Sequence, residues 1–206
     1  MEETSQSSDQ RPVRKRPKPG ERRLQILQTI AAMLQEGAAE KVTTAALAAK
    51  LSLSEAALYR HFASKAQMFE GLLDFIEETI FSLINQIEIR PGTPSARARE
   101  IVSMLLGFAE KNPGMTRVLI GDAIVNEDGR LQTRVNQLLD RVEASLRQCT
   151  RLQRAETESL SGALDPAIQS SLAMAYVQGR WLQFAKSGFR KRPSESADTA
   201  IQFLFP

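Results

Sequence analysis

The residue types best suited to chemistry in this chain lie between Thr43 and Lys65, and they suit contact with phosphate rather than bond making. Thr43, Thr44 and Ser54 stand where helices are expected to begin. Hydroxyls and free backbone N–H groups at such positions are good phosphate ligands. Tyr59, His61 and Lys65 suit phosphate contacts, and Arg60 is long enough for a base edge or a phosphate. Ala56 and Ala57 between them are small enough for close approach to a groove and to thymine methyls. Partial burial against the preceding helix is the competing role for Tyr59 and His61.

Other chemistries find little support. His61 is the only histidine and Cys149 the only cysteine. Neither a disulfide within the chain nor a cysteine-based metal site can be built, and the single thiol fits a reducing compartment. The H-E-x-x-H, C-x-x-C, G-x-S-x-G and phosphate-loop patterns are all missing. Carboxylates are plentiful but spaced as solvated helix faces. A non-enzyme without metal or cofactor is expected.

Helix signals set the frame for these residues. Thr43 and Thr44 offer hydroxyl caps for a short helix running to about Leu51, with Leu47 and Leu51 on its buried face. Leu51-Ser52-Leu53 is a turn. Ser54 caps a second short helix, with Leu53 and Leu58 placed as a hydrophobic staple and Phe62 closing the core. Ser64 and Gln67 form a capping box that opens a long helix from Lys65 to about Glu88. Two short helices across a tight turn make a helix-turn-helix, whose second helix fits the major groove of DNA.

The run Thr44-Ala45-Ala46-Leu47-Ala48-Ala49, followed by Ser54 to Phe62 and then Ser64-Lys65, resembles the DNA-binding domain of TetR-type regulators. The Y-x-H-F-x-S-K run is specific to that family. Its turn usually carries glycine where this chain has Ser52, because the backbone there takes a positive φ. A side chain in that conformation costs about 1–2 kcal/mol. The resemblance implies an all-α, TetR-like fold: an N-terminal helix-turn-helix domain of three helices and a C-terminal helical bundle that dimerises.

Charge and breakers divide the chain. Residues 1–66 carry a net charge of about +4 and the remainder about −1, so the positive excess lies at the DNA-binding end. Met1 to Gly20 reads as a disordered basic arm with Arg11, Arg14, Lys15, Arg16 and Lys18. Residues 21–66 are the DNA-binding domain and 67–206 the helical core for partner binding and dimerisation. The first helix spans Glu21 to Glu36, with Leu24, Leu27, Ala31 and Leu34 on its apolar face, Ile30 widening it and Gly37 as its stop. Arg22 and Arg23 lie at its exposed start. Thr93-Pro94, Asn112-Pro113 and Asp165-Pro166 each place a capping side chain before a proline and open later helices. From Glu127 to Gln153, Leu131, Val135, Leu138, Val142 and Leu146 recur at near-heptad spacing. A helix packed on one side of a bundle is favoured over a coiled-coil pair. Ala155 to Leu164 is a polar loop, and Ser194 caps a last short helix ending in Phe203-Leu204-Phe205. No signal peptide and no membrane-spanning stretch is expected, which suits a cytoplasmic, nucleoid-associated protein.

Ile168, Leu172, Ala175, Gly179 and Leu182 form a stripe with small residues at its middle. With the apolar tail from Ile201 to Phe205 it is expected to bury against a second subunit, since a lone helix-turn-helix reads a half-site and a two-fold dimer reads a palindrome. An intrachain core is the competing expectation.

Beyond the DNA-binding domain, Leu72 to Glu78, Leu105 to Arg117 and Leu131 to Leu138 resemble the nucleoid occlusion branch of the TetR family, the G-F-x-E-x-N-P-G-x-T-R stretch most distinctively. That resemblance runs from about Arg22 to Pro193. It implies a homodimer that recognises palindromic double-stranded DNA and, so bound, engages the tubulin-like division protein FtsZ and antagonises its polymers. By the same resemblance, Phe75, Gly107, Lys111 and Asn112 face that partner. Leu83 and Met104 share the surface, Leu83 standing where the family carries arginine. Two other readings fit the residues: a TetR-type repressor released by a small apolar ligand held among the helices from Lys65 to Ser187, and an architectural DNA binder with no protein partner.

Overall fold

A computed structural model describes residues 20–36, 42–156 and 164–206. The basic residues of the N-terminal arm, the Gly37 stop and most of the loop expected at Ala155 to Leu164 lie outside the described residues. Those described form nine α-helices and one short 3₁₀ turn, with no strand among them. The helices are α1 (Glu21–Glu36), α2 (Thr44–Leu51), α3 (Glu55–Tyr59), α4 (Lys65–Glu88), α5 (Pro94–Lys111), α6 (Pro113–Leu119), α7 (Gly129–Glu156), α8 (Pro166–Lys186) and α9 (Ala197–Leu204).

Most helix starts follow their caps. The side-chain oxygens of Thr43, Ser54, Ser64, Thr93 and Asp165 accept N–H groups of Ala46, Ala57, Gln67, Ala96 and Ala167. Gln67 reaches back to the N–H of Ala63, one residue earlier than the standard box, at 2.8 Å. Ser52 takes φ 53°, and the N–H groups of Ser52 and Leu53 return to the carbonyls of Ala49 and Ala48, a Schellman closure of α2. The left-handed turn that usually calls for glycine is therefore kept with serine.

Two caps differ from expectation. Asn112 does not cap α6; its Nδ2 donates to the carbonyl of Phe108 at 2.8 Å and closes α5 instead. Ser194 does not open α9, which follows Ser196 in a left-handed conformation. The N–H and hydroxyl of Ser194 go to the Glu110 carboxylate on α5. In both cases a nearby acceptor takes the side chain.

One buried core runs from Ile26 to Phe205. On α1 the buried face is Ile26, Leu27, Ile30 and Leu34, while Leu24 is exposed, so the stripe is rotated from the expected one. Leu131, Val135, Leu138, Val142 and Leu146 are all buried, and α7 packs on α4, α5 and α8. This is the one-sided bundle helix. Trp181 is fully buried in the bundle, its indole N–H donating to the Leu105 carbonyl at 3.1 Å. The expected apolar tail divides: Ile201 and Phe205 are buried in their own chain, whereas Phe203 is 87% exposed. Ile201 and Phe205 therefore do not belong to an uncovered dimer face.

The DNA-binding end is not a loose appendage. Helix α1 packs on α2, α4 and α6. Gly114 at the start of α6 sits so close to α1 that a Cβ there would stand 1.9 Å from the Ala31 carbonyl oxygen. Glycine alone permits that approach.

Candidate nucleic-acid interface and adjoining cleft

Helix α3 is five residues long, roughly 7.5 Å at 1.5 Å per residue. Leu58 is buried and anchors it, while Glu55, Ala56, Tyr59 and Arg60 are exposed and Ala57 half-buried. Thr43 and Ser54 spend their oxygen lone pairs on the caps, which leaves each hydroxyl proton free to donate to a phosphate. Thr44 is engaged otherwise: its hydroxyl donates to the Glu55 carboxylate, tying α2 to the start of α3. His61 is half-buried and Tyr59 is 45% exposed, so burial against α1 applies to the first and not the second.

The placement of Lys65 is the main surprise at this face. Its ammonium pairs with Glu127 on the approach to α7 and lies 5.7 Å from the centre of the Phe69 ring. Its side chain is 29% exposed. A phosphate contact by Lys65 therefore requires this pair to open. Two residues the sequence reading did not assign also shape the face. Arg23 donates to the His61 carbonyl and stacks 4.0 Å from the Phe62 ring centre, fixing the start of α1 to the end of the recognition helix. Glu55 sets a carboxylate at the front of α3, where it can accept from a cytosine amine. A 38-residue separation hides the first from any local pattern; the second reads simply as a favourable first-turn acid.

The residues expected to meet a partner fall into two groups. Phe75, Lys111 and Asn112 line one cleft of about 310 Å³. Its opposite wall is α1, through Gln28 and Gln35, and Met115 of α6 closes it. Leu83, Met104 and Gly107 do not line it; each is half-buried along α4 or α5, and a Cβ on Gly107 would meet open space. Phe75 is half-buried against the core, so its ring is shared between packing and cleft. A second, more open cleft between α4 and α7 holds Glu77 between Arg134 and Arg141, with Arg141 4.1 Å from the Phe81 ring centre. Its charges are already matched within the chain.

On α8, Ile168, Leu172, Ala175 and Leu182 are exposed, and a Cβ on Gly179 would meet nothing within 4 Å. An intrachain core is excluded for this stripe. Cys149 is buried in α7, and burial pushes its thiol above the usual range, so it is no poised nucleophile.

Comparison with known proteins joins the two halves. Residues 26–72 match the bacterial regulatory proteins of the tetR family, and residues 94–206 match the SlmA-like group of tetracyclin repressor-like C-terminal domains. A nucleoid occlusion factor SlmA of Alteromonas mediterranea is 47% identical over 84% of this chain and 89% of its own length. That of Idiomarina loihiensis is 45% identical over 89% and 93%. The chain belongs to the SlmA family of nucleoid occlusion factors. This SlmA-family chain also shares its fold with AibR in complex with isovaleryl coenzyme A and operator DNA, at a TM-score of 0.72 and 18% identity, covering 90% of this chain and 98% of that one. At that identity only the fold carries over. SlmA-family and TetR-family proteins are DNA-binding regulators, not enzymes. No described helix is long and apolar enough to cross a membrane.

Proposed function

We propose that the chain acts as a homodimer on palindromic chromosomal sites and that, bound there, it engages FtsZ and restrains Z-ring assembly over the nucleoid. Residues 21–66 carry the DNA contacts, through Thr43, Thr44, Ser54, Ala56, Ala57, Tyr59, Arg60, His61 and Lys65. Residues 67–206 carry the partner and dimer surfaces. The observation that supports this best is the cleft itself: Phe75, Lys111 and Asn112 face α1, a helix of the DNA-binding end, across one shared space. A helix that lines the partner cleft and is pinned by Arg23 to the recognition helix gives DNA a direct route to the cleft. The uncovered α8 stripe supports the dimer, because exposed apolar rows of this kind mark interfaces.

Phe75→Ala tests the reading. A central aromatic anchor is worth about 2 kcal/mol or more at an interface. The variant is expected to keep its DNA affinity and lose its effect on FtsZ polymers, read by light scattering with specific DNA present and a melting curve alongside. Loss of DNA affinity and melting temperature together would make Phe75 a packing residue only. A folded, DNA-bound wild type that leaves FtsZ polymers unchanged would turn the assignment toward the ligand-released repressor.

A further inference from the structure

The segment after α8 exposes Lys186, Arg190, Lys191 and Arg192. None of these four cations is held in an ion pair among the described residues. The Arg190 Nε donates to the Ser187 carbonyl of its own turn at 2.9 Å, and its terminal nitrogens face outward. The contrast with Arg134 and Arg141, both held by carboxylates of α4, is plain.

The backbone beneath these charges is firmly built. Gly188 and Phe189 are left-handed, and their N–H groups return to the carbonyls of Ala185 and Phe184, a Schellman motif. The Phe189 ring meets Phe184 edge-on at 5.1 Å and has the Arg117 guanidinium 5.3 Å from its centre. The Ser187 hydroxyl accepts the N–H groups of Arg190 and Lys191. Arg180 donates to the carbonyls of Arg192, Pro193 and Glu195, and Pro193 is buried. Ser194 then locks onto Glu110, the residue before Lys111. The strap thus ends against α5 beside the cleft residue Lys111.

We propose that this strap is a docking surface for an acidic polypeptide segment, the stretch of the partner that continues past the portion seated in the cleft. The proposal rests on the partner-cleft reading above and extends it to residues outside the cleft. Charge complementarity selects the occupant. Cations without partners, on a backbone ordered in advance, lose little entropy when they meet carboxylates. A polypeptide fits better than nucleic acid because the strap adjoins the apolar cleft rather than the recognition face. The packing path from the strap to α3 passes through α8, α6, α1 and α2. Glu110 and Glu195 interrupt the positive surface, which suits a chain of discrete carboxylates more than a continuous row of phosphates.

The test uses the full chain bound to its palindromic duplex and the double variant Lys191→Glu/Arg192→Glu, whose side chains bear no hydrogen bond of the strap. FtsZ affinity is expected to fall about fivefold at low salt, and the difference to shrink in high salt, with duplex affinity and melting temperature unchanged. Equal FtsZ affinity of variant and wild type at every salt concentration would overturn the proposal. So would a loss confined to duplex affinity, which would make the strap a nucleic-acid contact. A labelled poly-glutamate peptide separates failure of this proposal from failure of the FtsZ reading. If the wild type does not bind FtsZ, binding of the peptide by wild type and not by the variant still supports an acidic-segment surface, and no binding by either overturns it.

Discussion

Ser52 illustrates how a residue states its own strain. It holds φ 53° between α2 and α3, a conformation costing a side chain about 1–2 kcal/mol. Ser52→Gly is expected to raise stability by about 1 kcal/mol after glycine's own entropy cost, read from the denaturant midpoint at unchanged slope. An unchanged midpoint would mean that the hydroxyl offsets the strain. Arg60 and Lys65 make a contrasting pair. Arg60 is exposed, so Arg60→Ala should weaken binding and flatten the salt slope by roughly 0.9 if it meets one phosphate. Lys65 must first leave Glu127. Glu127→Gln should therefore tighten DNA binding by a few-fold at low salt, since the pair no longer has to be broken. Salt titrations of both variants check this, and weaker binding by Glu127→Gln would give the pair a positioning role instead.

At the scale of elements, what could be read from sequence was what is local. Thr43, Ser54, Ser64, Thr93 and Asp165 cap the helices they precede, because cap and helix lie within three residues of each other. Asn112 and Ser194 follow the same rule on paper, but tertiary neighbours divert their side chains. The seven-residue rhythm of α7 was legible, and so was its partly apolar face; the identity of its three packing partners was not. The site divides the same way. The recognition face could be read from one contiguous motif, whereas the Lys65–Glu127 pair and the α1 wall of the cleft join residues far apart in the chain. The α8 stripe yields the prediction at this scale. Gly179 faces open space in a single chain, so Gly179→Trp should leave the protomer folded and block the approach of a second α8. Sedimentation is expected to show a monomer, and DNA affinity should drop because a half-site is held weakly. A folded dimer would put Gly179 outside the interface.

For the whole molecule, the continuous core and the contact of Gly114 with Ala31 mean that the DNA-binding end and the helical core cannot move independently. A shift of α1 on DNA must alter the cleft it lines, and a partner in that cleft must bear on α1. Coupling between two binding sites is reciprocal: whatever factor DNA applies to FtsZ affinity, FtsZ applies to DNA affinity. Couplings of this kind are typically about 1–3 kcal/mol, or roughly 5–150-fold. The direct measurement is the affinity of a labelled palindromic duplex for the protein, taken with and without saturating FtsZ at one salt concentration. The account predicts tighter duplex binding with FtsZ present, by the same factor that the duplex adds to FtsZ binding, and equal duplex affinities in the two titrations would contradict it.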